Sequence, residues 1–351
     1  MVLVSDQKLK ITKRMASATG MRGAPRIGFV TCADMSHSFP SEAEPFFSED
    51  CAAAAQHIRA QGAVVVPLIW DDPDFFREAQ DCDLVVVRSP WDYMETLAKR
   101  QGFVSWLNRL HAEKIRCENP PDVMLWNMDK QYLGAFAKAG ISIVPTRFVG
   151  PEESFDLAQY FNTGGAFVLK PCVSAGAHDT FKFLTQDEAR LFQVEWERIR
   201  PQRHFMVQPF LHEITERGEW SCVFFDGQYS HSVHKLPGQG QWLVQGKLGG
   251  SVLSKNPPGP IRAMAERVAN SLSREIFSEP MLYARIDVID SFGGALLSEV
   301  KLIEPELFFL ERTPGGSAPN ASATESFWRA VQSRLASVSP SDGTGACGLG
   351  R

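Results

Sequence analysis

Two hydrophobic rhythms divide the chain. Residues 26–31, 64–69 and 84–87 are short continuous apolar runs rich in β-branched side chains, the pattern of parallel strands buried on both faces. Between and after them, residues 44–61 are alanine-rich and closed by Gly62, while residues 103–113 carry Phe103, Trp106, Leu107 and Leu110 on one helical face. The resulting β-α-β-β-α order predicts a small doubly wound parallel-sheet α/β domain over residues 26–121, with Asn119-Pro120-Pro121 at its end. Ligand groups of such a domain belong at the carboxyl ends of its strands.

From residue 123 the rhythm mixes. A helix is predicted over 130–139, capped by Gly140, and strands over 146–149, 166–170 and 181–184. A helix over 186–198 and a strand over 205–211 follow. This α+β pattern marks a second unit over 122–210. In a third unit, 211–337, alternating runs at 220–225 and 229–235 meet across Asp226-Gly227, a hairpin signal. Residues 237–260 are so rich in glycine and proline that they read as a substrate-covering loop. A helix over 261–277, alternating runs at 282–289 and 295–303, and a helix over 323–336 complete the third unit. Residues 1–25 and 338–351 read as disordered extensions.

The chemistry concentrates where strands end. Asp287 sits on one run of the last hairpin and Glu299, twelve positions later, on the other. A hairpin would bring the two carboxylates side by side, an arrangement suited to one or two Mg²⁺ ions shared with phosphates. Lys170 ends the apolar run Phe167-Val168-Leu169. The loop after it, with Ser174, Ala175 and Gly176, is small enough for backbone N–H groups to wrap phosphate oxygens. Trp126-Asn127-Met128-Asp129-Lys130 opens a helical stretch with a second lysine.

The order of these motifs resembles the ATP-grasp superfamily of ligases: Lys130, then Lys170 with its loop, Gln208-Pro209-Phe210-Leu211, Arg285-x-Asp287 and Glu299. Within it, the chain is similar to the cyclo-ligase group of cycloserine biosynthesis, which acts on O-ureido-D-serine. The similarity spans roughly residues 26–335. It rests on Val87-Arg88-Ser89-Pro90-Trp91-Asp92-Tyr93, Trp126 to Lys130, Lys170-Pro171 with Ser174-Ala175-Gly176-Ala177, and Leu302-Ile303-Glu304-Pro305.

The resemblance implies ATP and Mg²⁺ as cofactors, and an amino-acid-like small molecule as substrate. Lys130, Lys170, Ser174, Ala175 and Gly176 would take the phosphates. Gln208, Pro209, Phe210 and Leu211 would take the adenine, and Glu213 or Glu219 the ribose. Arg285 and Lys170 would be the catalytic residues, Lys170 on α- or β-phosphate oxygens and Arg285 paired with the substrate carboxylate or the transferred phosphate. Asp287 and Glu299 would hold the metal; Lys301 stands where the superfamily usually carries an asparagine ligand, so Glu304 or Glu306 would take its place or a second ion would be held more loosely. Arg88, Ser89, Trp91, Asp92 and Tyr93 would receive the substrate, with Arg88 on its carboxylate and Asp92 near its amine. The expected reaction activates a carboxyl-type group as an acyl phosphate for attack by a nitrogen, within one molecule or between two. A nucleotide-binding regulatory protein without turnover is the alternative.

Composition narrows the field without deciding it. The net charge of −5 and the lack of a basic run with interleaved aromatics speak against nucleic acid as a partner. No apolar stretch approaches the ~20 residues a membrane span needs. Seven cysteines, an odd count without a C-x-x-C pair, point to reduced thiols and a cytoplasmic setting. A homo-oligomer is compatible with the sequence. Gly246-Lys247 is followed by Leu248, so no P-loop is present, and His231 and His234, three apart on a strand, are predicted to diverge rather than to bind zinc.

Overall fold

The chain, described here by a computed structural model over residues 23–34, 46–174, 176, 178–242, 250–310 and 321–337, is organised by three sheets. Ala175, most of the two predicted extensions and part of the predicted covering loop (243–249) lie outside these residues.

The first sheet is parallel, in the order β2 (Val64–Ile69), β1 (Arg26–Thr31), β3 (Leu84–Ser89), β4 (Cys117–Glu118). Its strands are the continuous apolar runs, and β3 is buried at every position. Helices α1 (Glu49–Ala60), α2 (Phe75–Gln80) and α3 (Leu97–Ala112) accompany it. The six-residue α2 and two-residue β4 are too short to show a period, so the sequence reading has neither. Helix α3 begins before its apolar face does, because the Thr96 hydroxyl accepts from Lys99 N at 3.1 Å and starts the helix at a polar turn.

Next come α4 (Pro121–Met128), a single tight turn at Lys130–Tyr132 and α5 (Leu133–Lys138). The second sheet is antiparallel: β5 (Arg147–Val149), β8 (Phe205–Pro209), β6 (Phe167–Pro171), β7 (Phe181–Phe183). Helices α6 (Leu157–Gly164) and α7 (Gln186–Ile199) back it, and a capping box between Thr185 and Glu188 opens α7. After the short α8 (Glu213–Arg217), the third sheet runs β11 (Ser251–Ser254), β10 (Gln228–Leu236), β9 (Glu219–Phe225), β12 (Tyr283–Ser291), β13 (Gly294–Lys301), all antiparallel. Helix α9 (Gly259–Ser271) crosses it, and α10 (Ala321–Ala336) ends the described chain.

Packing redraws two expected boundaries. Val123, Leu133 and Phe136, placed by the sequence in the 122–210 unit, share a core with Ile286, Val288 and Val300 of the third sheet. The core of the second sheet instead gathers Val149, Leu157, Phe167, Trp196 and Phe205. The last helix returns to the beginning of the chain: the Phe327 ring lies 5.3 Å from Phe225 and 6.3 Å from Phe29. The predicted loop over 237–260 also needs correction. Residues Ser251–Ser254 pair with β10, and the prolines near 258–260 begin α9, where a missing N–H costs nothing.

Candidate active site

A cavity of about 220 Å³ opens between the second and third sheets. Its floor is one face of β12 and β13. Asp287 pairs directly with Glu299, and Arg285 with Lys301, so the floor carries a row of two cations beside a row of two carboxylates. Like charges directly opposite one another destabilise a sheet. Here each row is offset by the other, since Arg285 pairs with Asp287 and Lys301 stands 3.4 Å from Glu299.

The register shifts between Asp287 and Val288. Strict alternation would put Leu297 on the same face as Glu299. The bulge instead turns Ser298 and Glu299 to the cavity and returns Leu297 to the core beside Val288. Tyr132, which the sequence reading did not name, and Asn127, which it quoted without a role of its own, pin this edge strand. The Tyr132 hydroxyl donates to Val300 O at 2.8 Å and accepts from Val300 N at 2.9 Å. Asn127 donates to Val300 O at 2.9 Å and accepts from Leu302 N at 2.8 Å. The motif around Trp126 to Lys130 thus fixes the position of the acidic strand.

Lysines close the opposite wall. Lys130 is buried, its Nζ donates to Ser174 O at 2.5 Å, and it stands 3.6 Å from Glu299 Oε1. Lys170 lines the cavity from β6. Burial, partly offset by Glu299, lowers the pKa of both amines. Ser174, Gly176, Gln208, Pro209, Phe210, Leu211 and Glu219 line the same space. The sequence reading missed Lys235, Thr180 and Trp242 in this lining. Lys235 was legible only through its cross-strand partner, since its Nζ meets Glu219 Oε1 at 2.5 Å from the adjacent strand.

The acids answer these cations. Arg285 donates through Nε and Nη2 to the two oxygens of Asp287, at 3.1 and 3.0 Å, and Ser221 Oγ adds a bond of 2.5 Å. Burial opposes the charge on Asp287, but Arg285 and Lys235 outweigh it and hold its pKa below the usual carboxylate value. Glu299 is likewise depressed: against burial stand Lys301, Lys130 and Lys170. Both carboxylates are therefore charged at neutral pH. A pair of ionised carboxylates fits Mg²⁺, which is typically held by one or two carboxylates plus phosphates.

Other expected site residues stand elsewhere. Glu213 is not in the cavity lining, and its Oε1 accepts from Phe292 N at 3.3 Å at the hairpin turn. Glu304 is outside the lining too. Its Oε2 accepts from the Tyr93 hydroxyl at 3.4 Å across the seam between the first domain and the third sheet, and burial raises its pKa. The segment 88–93 is part of that seam. Arg88 Nη2 donates to Pro305 O at 3.0 Å and its guanidinium lies 5.0 Å from the Tyr283 ring centroid. Trp91 Nε1 donates to Glu304 O at 2.9 Å. Ser89 is buried against Thr31, and Asp92 accepts from Trp70 Nε1 and Lys99 Nζ at 2.7 and 2.6 Å. None of Arg88, Ser89, Trp91, Asp92 and Tyr93 lines the cavity. His231 and His234 diverge as expected, to Leu307 O and Arg217 O, and no cluster of three metal-ligating side chains occurs among the described residues.

A family model described as the prokaryotic glutathione synthetase ATP-grasp domain matches residues 132–308. The chain belongs to this ATP-grasp family. It is an ATP-dependent, ADP-forming carbon–nitrogen ligase. A second family model, the N-terminal domain of D-cycloserine synthetase DcsG, matches residues 27–119 of this ATP-grasp chain. Cycloserine biosynthesis protein DcsG of Streptomyces lavendulae is 27% identical over 240 residues, which cover 64% of this chain and 77% of that protein. Among solved structures, D-cycloserine synthetase DcsG superposes with a TM-score of 0.71 at 21% identity, covering 88% of this chain and 99% of that one. D-alanine–D-alanine ligase from Bacillus anthracis, complexed with ATP, gives 0.59 at 13% identity over 89% and 99%. The two solved structures establish the ATP-grasp fold. No helix among the described residues is long and apolar enough to cross a membrane.

Proposed function

We propose that this ligase uses ATP and Mg²⁺ to phosphorylate a carboxyl-type group of an amino-acid-like substrate, and that a nitrogen of the same molecule then displaces the phosphate. A carboxylate oxygen would attack the γ-phosphorus, and the bond to the β–γ bridging oxygen would break with its electrons on ADP. The nitrogen would then attack the acyl carbon, phosphate would leave, and the nitrogen would lose a proton. The observation that carries this reading is the opposition of Asp287 and Glu299 on a cavity floor walled by Lys130, Lys170 and Lys235.

Positioning and charge neutralisation are what phosphoryl transfer asks of a protein. Lys170 and Lys130 would meet phosphate oxygens, and backbone groups near Gln208 to Leu211 would face the adenine, with Glu219 near the ribose. Asp287 and Glu299 would hold Mg²⁺, which neutralises charge on the phosphates when bound. Intramolecular closure is favoured over joining two molecules by the similarity to the DcsG protein of cycloserine biosynthesis, over residues 27–119 for its N-terminal domain and over 240 residues for the whole protein. The test is ADP release across a panel of D- and L-amino acids, including O-ureido-D-serine, with product mass. ADP release with a product that incorporates no second substrate is expected. A product carrying a second substrate molecule would replace closure by peptide-type ligation. ADP release that no amino acid stimulates would end the substrate assignment.

A further inference from the structure

The floor of the cavity offers a divalent cation fewer ligands than its charge pattern first suggests. An ionised carboxylate has about four lone-pair positions. Three of those on Asp287 already accept, from Arg285 Nε, Arg285 Nη2 and Ser221 Oγ. That leaves room for about one metal bond. Among the described residues Glu299 accepts no hydrogen bond of good geometry, but an ammonium stands near each oxygen: Lys130 at 3.6 Å from Oε1 and Lys301 at 3.4 Å from Oε2. No third His, Cys, Asp or Glu joins the pair among the described residues.

Two carboxylates with one position on Asp287 can hold one ion between them. A second ion would have to share Glu299 with Lys301, whose ammonium carries three donors and no lone pair while protonated. Lys301 is also held in place. It lies beside Arg285 across the strand pair, and its chain neighbours Val300 and Leu302 are tied by Tyr132 and Asn127. Its side chain faces the cavity.

We infer that this ligase works with one divalent cation, held between Asp287 and Glu299, and that the Lys301 ammonium supplies the second counter-charge on the transferred phosphate. The inference rests on the nucleotide reading proposed above and specifies its ion count and a further catalytic residue.

The experiment counts Mn²⁺ bound per chain by electron paramagnetic resonance, with adenylyl imidodiphosphate saturating. Binding of the analogue is measured first by calorimetry. One Mn²⁺ per nucleotide-loaded chain is expected, and two of comparable affinity would overturn the inference while leaving the ligase reading intact. No binding of the analogue at any Mn²⁺ concentration would overturn both. Lys301→Ala is then expected to keep the count at one and to lower kcat roughly 10²-fold at saturating Mg²⁺, the loss seen when one preorganised charge-stabilising donor is removed. A folded Lys301→Ala protein with unchanged kcat would make Lys301 a bystander and overturn the inference. If that variant does not fold, the ion count on the unaltered chain still decides between one ion and two.

Discussion

At the scale of single residues, the site sets amines and carboxylates against one another in a partly enclosed cavity. Lys170 lies at the end of an apolar strand, and burial lowers its pKa. Lys170→Ala is expected to weaken ATP binding by roughly 1.5–3 kcal/mol, the range for hydrogen bonds to charged groups. Calorimetry on the variant checks this, and an unchanged affinity would remove Lys170 from the phosphate site. The same depression predicts a pH dependence. Bound triphosphate favours the protonated amine, so above the lowered pKa binding takes up a proton, and affinity falls as pH rises. With Lys130 lowered as well, the decline should begin below the ordinary lysine value of 10.5. An ATP Kd that stays flat from pH 7.5 to 10.5 would contradict the burial argument.

At the scale of elements, the β12–β13 hairpin carries the reaction and the turns around it hold it in register. Glu299→Gln and Asp287→Asn both remove a metal ligand's charge, so turnover is expected to collapse and its Mg²⁺ requirement to rise. Their stabilities should differ. Asp287 is the bidentate partner of buried Arg285, and breaking a buried pair costs about 3–5 kcal/mol. Glu299 makes only longer contacts, with Lys130 and Lys301, so Glu299→Gln should lose less stability than Asp287→Asn. Equal melting temperatures for the two variants would refute this distinction. Gly218, between α8 and β9, has a φ of +70°, and a Cβ there would meet Lys235 O at 2.2 Å. Gly218→Ala should therefore cost more than about 1 kcal/mol, since both the backbone and the contact are strained. It should also lower activity by shifting Lys235 and Glu219. Chemical denaturation and a kcat measurement test both, and a variant as stable as the parent would show that β10 can yield.

At the scale of the whole molecule, the first domain is joined to the third sheet through residues that the sequence reading assigned to substrate. Arg88 and Trp91 donate to the carbonyls of Pro305 and Glu304, while the Tyr283 hydroxyl reaches back to Val87 O at 2.6 Å. Asn119, fully buried, donates to Tyr283 O and Leu302 O. This seam sets where β12 and β13 stand relative to the first sheet. Arg88→Ala is expected to lower stability by about 1.5–3 kcal/mol, through loss of a charged hydrogen bond, with ATP affinity nearly intact. A variant with unaltered melting temperature and a raised substrate KM would restore Arg88 to the substrate pocket.

Local rules made much of this protein legible from its sequence. The buried strands β1, β2 and β3 announced themselves as continuous apolar runs, and alternation marked the two hairpins of the third sheet. That Asp287 and Glu299 lie on the two strands of one hairpin follows from the turn between them, and the place of Lys170 with its small-residue loop from the end of one strand; their direct pairing needs the bulge. What sequence could not decide depends on surfaces meeting. The bulge that separates Leu297 from Glu299 is settled by the core beneath the strand, because period two alone puts both on one face. The match between α4–α5 and the third sheet, and the return of α10 to the first domain's core, join segments far apart in the chain. Arg88 and Glu304 carry the same charges in a seam as in a site. Only the packed structure determines whether a buried charge meets a backbone carbonyl or an open cavity.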